Sequence, residues 1–409
     1  MKSYTAVIIG CGPAGHTCAV RLAQLGAKVA VVERDYVGGI CTNWGCTPSK
    51  SMIESAKVAR IVRESSNFGI NVSNIAIDFQ KVAARRDAVI KHAREVVTEL
   101  LKYHQVDIYE GEAEVVDAGK VIVRSGKLDL DGFHMHYGGG EDEIHAEHIV
   151  LATGSHPLLP DFVRRDDPYV VSSNRLISIG VLPETLTIVG GGVIGLEFAT
   201  IFSNLGSQVT IVEFLDHVLA GMDPDISEEI TRQLTSHGVR ILTGHHVVAI
   251  ENGVVQAENK ATKEMVEVAS KAILIAIGRQ AVIDQPMFER LGIHYSVRGI
   301  HVDEYMRTNV PGIWAIGDAT GRSILAHVGM QQGIICAENM LCSRQRRMDY
   351  EVIPSVVYSI PEVVGVDGRF DLQSAVCGES EGAHRGIRPG VLQVMGQGQP
   401  GAGGAGYRA

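Results

Sequence analysis

Tyr4-Thr5-Ala6-Val7-Ile8-Ile9-Gly10-Cys11-Gly12-Pro13-Ala14-Gly15 decides the architecture of this chain. The β-rich run Tyr4–Ile9 reads as a strand that ends in a glycine turn, and the stretch from Gly12 to Leu25 reads as a helix. Between them Gly10, Gly12 and Gly15 stand at Gly-x-Gly-x-x-Gly spacing. Glycines there allow a tight turn, close approach to a pyrophosphate and close helix–strand packing. The helix N-terminus adds free N–H groups and the positive end of its dipole. Lys28–Glu33 reads as the next strand, and Glu33 ends it where a carboxylate can accept hydrogen bonds from a ribose diol. A glycine triad alone is weak evidence. With strand, helix and acid all in place, it reads as a dinucleotide-binding βαβ unit.

The pattern then repeats. Leu186–Val189 reads as a strand, Gly190, Gly192 and Gly195 as a second triad, Leu196–Leu205 as a helix and Gln208–Glu213 as a second strand. Glu213 stands where Glu33 stood. No arginine follows it within Phe214–Val218, so the site favours a ribose 2′-hydroxyl over a 2′-phosphate, pointing to NAD rather than NADP. Long helices are expected over Ser49–Glu64 and Phe79–Tyr103, and short strands with turns over 106–150. Alternating strands and helices imply parallel sheets and an α/β fold. Leu182-Pro183-Glu184 reads as a hinge between the two units, and Asp284 to Pro286 as a return to the first. The expected division is 1–149, 150–281, 282–350 and 351–409. From about Gly368 the chain is glycine-rich without hydrophobic periodicity, and it is expected to be poorly ordered.

Composition excludes several classes. The chain has 409 residues, 45% of them hydrophobic and 21% charged, which is globular and long enough for two or three domains. A net charge of −10 with 5% aromatics gives no reason to bind nucleic acid or an anionic membrane. No apolar run reaches the ~18 residues of a membrane span. Met1-Lys2 followed by apolar residues could pass for a leader, but Gly10, Gly12 and Gly15 argue for strand and turn, so a cytoplasmic protein is expected. Seven cysteines, mostly scattered, do not suggest a stapled secreted scaffold. His134, His136, His145 and His148 read as solvent-facing strand positions rather than ligands, and no metal site is expected.

The most specific segment is Gly38-Gly39-Ile40-Cys41-Thr42-Asn43-Trp44-Gly45-Cys46-Thr47-Pro48-Ser49-Lys50. Five positions along a regular helix span about 7.5 Å, beyond the ~7 Å that a disulfide bridges. A bridge therefore needs a distorted turn, which Gly45 and Pro48 are placed to provide; two free buried cysteines are the alternative. A cysteine near a helix N-terminus, with Lys50 one turn on, should have a lowered thiol pKa.

This segment, following the first fingerprint, resembles the active site of dihydrolipoamide dehydrogenase and its relatives among the pyridine nucleotide–disulfide oxidoreductases. The resemblance runs from residue 4 to about 366 with the motifs in family order. It implies two Rossmann-like domains, one for FAD and one for NAD, followed by an α+β interface domain. Cys41 would meet the substrate, Cys46 would face the flavin as the charge-transfer thiolate, and Lys50 would lie beside the ring, paired with Glu197. Gly10, Gly12, Gly15, Glu33, Thr153, Gly154, Asp318, Ala326 and His327 would hold FAD, with Asp318 on the ribitol chain. Gly190, Gly192, Ile194, Gly195, Glu213 and Gly278 would hold NAD, with Ile194 at the nicotinamide pocket. The Ala276–Arg279 segment would lie near NAD.

The implied reaction moves electrons between dihydrolipoamide or a lipoyl domain, the Cys41–Cys46 disulfide, FAD and NAD⁺. The alternatives are a related NADH-dependent disulfide or metal-ion reductase, or a flavin-binding remnant with little disulfide activity. Val352–Glu362 starts the interface domain well, but past Val366 the likeness stops, and His384 lacks a following glutamate. The expectations are an incomplete interface domain, a chain that does not dimerise as the family does, and a weak dithiol half-reaction.

Overall fold

The computed structural model describes residues 2–128, 135–160, 163–164, 166–366 and 369–373. β1 (Lys2–Ile9), α1 (Pro13–Gln24) and β2 (Val29–Glu33) form the first βαβ unit, with parallel strands and Ala6 opposite Val29. All five residues of β2 are buried, as a strand covered on both faces must be. Pro13 opens α1, where its missing N–H breaks no helical bond.

Then come α2 (Gly39–Asn43), α3 (Cys46–Glu64), α4 (Phe79–Tyr103), β3 (Asp107–Glu110), β4 (Glu112–Asp117), β5 (Lys120–Leu128) and β6 (Met135–Leu151). The first sheet runs β3-β2-β1-β6-β5-β4. Here the expectation of short strands over 106–150 is corrected, because β6 is 17 residues long. Its early half pairs antiparallel with β5 and its late half parallel with β1, Ile144 to Leu151 lying opposite Lys2 to Ile9. Gly138, Gly139 and Gly140 do not end the strand; they fall in an irregularity where Tyr137 pairs with Gly126 and Glu141 with Arg124. Helix α3 likewise begins at Cys46, three residues before the expected Ser49, with Pro48 tolerated in its first turn.

The second unit contains β7 (Ser155–Pro157), β8 (Val170–Val171), α5 (Ser173–Ile177), β9 (Thr185–Val189), α6 (Val193–Leu205), β10 (Gln208–Val212), α7 (Pro224–Ser236), β11 (Arg240–Leu242), β12 (His245–Glu251), β13 (Val254–Asn259), β14 (Met265–Ala269) and β15 (Ala272–Ile275). A parallel sheet runs β11-β10-β9-β15-β8, and β12 to β14 form a separate antiparallel sheet. Helix α6 starts at Val193 rather than Leu196, because Gly192 serves as its N-cap just as Gly12 does for α1.

The chain then passes through β16 (Arg279–Ala281), paired with β7, α8 (Gln285–Leu291) and the short pair β17 (Tyr295–Ser296) and β18 (Gly299–Ile300). β19 (Ile313–Ala315) rejoins the first sheet beside β6. Helix α9 (Ala326–Leu341) crosses α1 closely: a Cβ on Gly333 would lie 2.6 Å from the Ala14 carbonyl oxygen. A three-stranded antiparallel sheet follows, of β20 (Ser355–Val357), β21 (Glu362–Val366) and β22 (Arg369–Gln373). Strand β22 corrects the expectation that order fades from Gly368, since its backbone pairs along the whole of β21. His134, Cys377, His384 and the rest of the glycine-rich tail lie outside the described residues. Among the described residues no helix is long and apolar enough to cross a membrane.

Candidate active site

The two glycine triads are built alike, down to their contacts. Gly10 and Gly190 both have positive φ, 103° and 111°, and both press against a neighbouring carbonyl. A Cβ would meet the Ala152 oxygen at 2.2 Å from Gly10 and the Ala276 oxygen at 2.5 Å from Gly190. From Gly15 it would meet the Gly10 oxygen at 1.9 Å, and from Gly195 the Gly190 oxygen at 2.1 Å. Gly12 and Gly192 differ: nothing lies within 4 Å of their Cβ positions, and neither helix has a side-chain cap. The acids match too. Glu33 accepts from the N–H groups of Cys11 (2.7 Å) and Asp35 (3.0 Å), Glu213 from those of Gly191 (2.5 Å) and Leu215 (2.7 Å). Burial raises the Glu33 pKa, while the two N–H donors pull it down.

Cys41 lies in α2 and Cys46 opens α3, with the helix broken between them at Trp44 and Gly45, where Gly45 takes φ −127° and ψ −110°. The break replaces the straight helical rise that would hold the sulfurs apart, and the two unbridged thiols hydrogen-bond each other. Cys46 falls to about 7, first because the Cys41 thiol bonds to it and then because Lys50 is near. Cys41 moves the opposite way, raised by that same bond and by burial. Lys50 Nζ lies 3.0 and 3.1 Å from the two carboxylate oxygens of Glu197 on α6. It also sits 4.1 Å from the centre of the Tyr358 ring, whose backbone N–H donates to Glu197 at 3.2 Å.

One cavity of about 950 Å³ joins the first turn to the cysteine segment and the start of α6, while Gly190, Gly192, Glu213 and Gly278 do not line it. Gly10, Gly12 and Glu33 line it at one end, while Cys41, Cys46, Lys50, Ile194 and Glu197 line it elsewhere. Thr153, Gly154, Asp318, Ala326 and His327 also face it, the last two in the first turn of α9. Asp318 accepts from the Ser155 hydroxyl at 2.6 Å, and burial raises its pKa against the pull of Ser155 and Arg279. Gly15 and Gly195 stand behind the turns, packed on Gly10 and Gly190. Gly278, with φ 131°, follows β15 and accepts from the Leu158 N–H. Its neighbour Arg279 turns into the first site rather than the second, donating to Ser155 at 2.9 and 2.8 Å. Pairing of β16 with β7 carries the arginine there from the end of the Ala276–Arg279 segment.

Comparison with known proteins agrees with this construction. The family model described as pyridine nucleotide-disulphide oxidoreductase matches residues 4–333. This chain belongs to that family. The oxidoreductase is 37% identical over 372 residues to a dihydrolipoyl dehydrogenase of Chlamydia pneumoniae, covering 89% of this chain and 76% of that one. It is 36% identical over 354 residues to a dihydrolipoyl dehydrogenase of Acholeplasma laidlawii, covering 85% and 99%. Among solved structures it is similar to the Cu(II) complex of the HOCl-induced flavoprotein disulfide reductase RclA from Escherichia coli. That match has TM-score 0.77 and 30% identity, covering 91% of this chain and 78% of that one.

Members of the family bind FAD and NAD(P). The residues of this oxidoreductase fit a dinucleotide in the first site. Space is open over Gly12 at an uncapped helix N-terminus, and the buried Thr153 hydroxyl has no protein partner. Three residues at the cavity escape the sequence reading: Ser155, Arg279 and Tyr358. Only Arg279 had a local signal, its place in the Ala-Ile-Gly-Arg segment. The contacts of all three are made between strands and helices far apart in the chain, where no periodicity records them.

Proposed function

We propose that this oxidoreductase is a dihydrolipoamide dehydrogenase, moving electrons between a dihydrolipoyl group, the Cys41–Cys46 pair, FAD and NAD⁺. The observation that carries the proposal is the single cavity in which Cys46, the Lys50–Glu197 pair and Ile194 share walls with the Gly10–Gly15 turn. Gly10, Gly12, Glu33, Thr153, Gly154 and Asp318 would hold FAD, with Gly15 closing the turn and Ala326 and His327 beneath the ring. Gly190, Gly192, Gly195, Glu213 and Gly278 would hold NAD.

A substrate thiolate attacks the Cys41 sulfur of the Cys41–Cys46 disulfide and releases Cys46 as thiolate. The second substrate thiol, giving up its proton to Cys41 as it displaces that sulfur, closes the substrate disulfide and leaves two electrons on the pair. The proton settles on Cys41, whose pKa lies above that of Cys46, so Cys46 stays charged near neutral pH. Bound FAD supplies the two-electron link between that thiolate and the nicotinamide. Lys50, fixed by Glu197, lies beside the thiolate and helps to lower its pKa.

A second reading, an NADH-dependent reductase of another disulfide or of a metal ion, is favoured by the likeness to RclA, whose solved structure is a Cu(II) complex. Parallel assays of NADH oxidation with lipoamide, glutathione disulfide, Cu(II) and a dye separate the two. Lipoamide turnover well above that with glutathione disulfide or Cu(II) supports the first reading. Preference for Cu(II) or glutathione disulfide supports the second, and dye activity alone would leave a flavoprotein with little disulfide chemistry.

A further inference from the structure

Helix α2, which carries Cys41, has five residues and cannot hold its own shape. The chain enters it through the left-handed region at Gly38 (φ 95°) and Gly39 (φ 58°), where the Gly39 N–H donates to the Tyr36 carbonyl at 3.1 Å. The Asn43 side-chain amide ties this entry down, donating to the carbonyls of Gly39 at 2.8 Å, Val37 at 3.2 Å and Tyr36 at 3.4 Å. Asn43 is 2% exposed, so its oxygen needs a donor from the protein. Arg94 of α4 provides two, Nε at 3.0 Å and Nη2 at 2.7 Å, with its guanidinium 3.7 Å from the Tyr36 ring centre. A guanidinium only donates, which forces the amide oxygen toward it and the amide nitrogen toward the carbonyls. The Arg94 guanidinium thus places both its Nε and its Nη2 donors on this one amide oxygen.

We infer that Arg94 is a positioning residue for the redox pair, acting through Asn43 to hold Cys41 against Cys46 across the break at Gly45. The inference rests on the reading of Cys41 and Cys46 as a redox pair. Sulfurs bridge only within narrow geometry, so loosening α2 lowers the effective concentration of one thiol at the other.

The test equilibrates the FAD-loaded protein in glutathione buffers of graded oxidised-to-reduced ratio, alkylates free thiols and reads the Cys41–Cys46 disulfide by peptide mass. Arg94→Met keeps the stem over Tyr36 and removes the donors; Arg94→Lys restores a single donor. We expect the disulfide-closing equilibrium constant to fall about fivefold or more in R94M and to recover partly in R94K. FAD content and melting temperature are measured alongside, because a residue that only stabilises the fold would lower melting without moving this constant. Wild-type and R94M constants within twofold of each other overturn the inference alone. A wild type that forms no Cys41–Cys46 disulfide at any ratio overturns the functional reading on which it rests.

Discussion

At the scale of single residues, the cysteine pair makes the sharpest statement. The Cys46 thiol is depressed to about 7, against the ~8.5 of a free cysteine, so its thiolate persists above pH 7 and is lost as pH falls through 7. Iodoacetamide labelling of Cys46 in the reduced protein should therefore reach half its maximal rate near pH 7. Since the Cys41 thiol is the largest cause, Cys41→Ala should move that midpoint up toward the free-cysteine value, and more than Lys50→Met does. Glu213 sets a second expectation. Its carboxylate is already held by two backbone N–H groups, and Lys260, on the Phe214 ring beside it, is paired with Asp216. A 2′-phosphate there would meet a fixed negative charge. NADH should support dye reduction far better than NADPH, with Glu213→Arg narrowing the gap in steady-state rates. Asp318→Ala should weaken FAD retention by about 1–3 kcal/mol, the cost of a lost buried hydrogen-bonding partner, read by equilibrium dialysis.

At the scale of elements, the glycines of one turn separate folding from binding. A methyl on Gly15 would sit 1.9 Å from the Gly10 oxygen, so Gly15→Ala must push α1 off β1. Overpacking of this kind costs about 1–3 kcal/mol or more, and the melting temperature of the FAD-free protein should drop. Gly12→Ala meets no protein atom within 4 Å and keeps an ordinary φ of −68°, so that melting temperature should hold. Its methyl points into the space proposed for the pyrophosphate, and FAD retention should fall instead. Calorimetry of the apoproteins beside flavin release on gel filtration checks both. The same logic explains α9, where Gly333 permits the close crossing on Ala14 and Cys18 that points His327 at the cavity.

At the scale of the whole molecule, the cavity draws on the first sheet, on α5 and α6 of the second unit and on the terminal sheet at once. Tyr358, just beyond β20, touches both Lys50 and Glu197. The purified protein should be yellow, and FAD should raise the melting temperature of the apoprotein, because the ligand binds a site that exists only when all three parts are assembled. A colourless protein that takes up no FAD would sink that reading.

Much of this protein was legible before any tertiary structure. Glycine triads, the strands before them and the acids after them are short-range patterns, and they locate both nucleotide turns because backbone conformation there is set by residues within about 25 positions. The Cys41–Cys46 spacing likewise announces that a straight helix will not serve. Resemblance to a family pointed to Lys50 and Glu197, although 147 positions separate them. What only the tertiary structure decided was the long β6, the strand β22 and the side-chain company at the cavity. Arg279 reaches Ser155 because β16 pairs with β7, and Arg94 reaches Asn43 because α4 packs behind α2. Such contacts depend on how elements pair and pack across the chain, and a side chain's neighbours along the sequence carry no trace of the partner it will meet across a sheet or helix face.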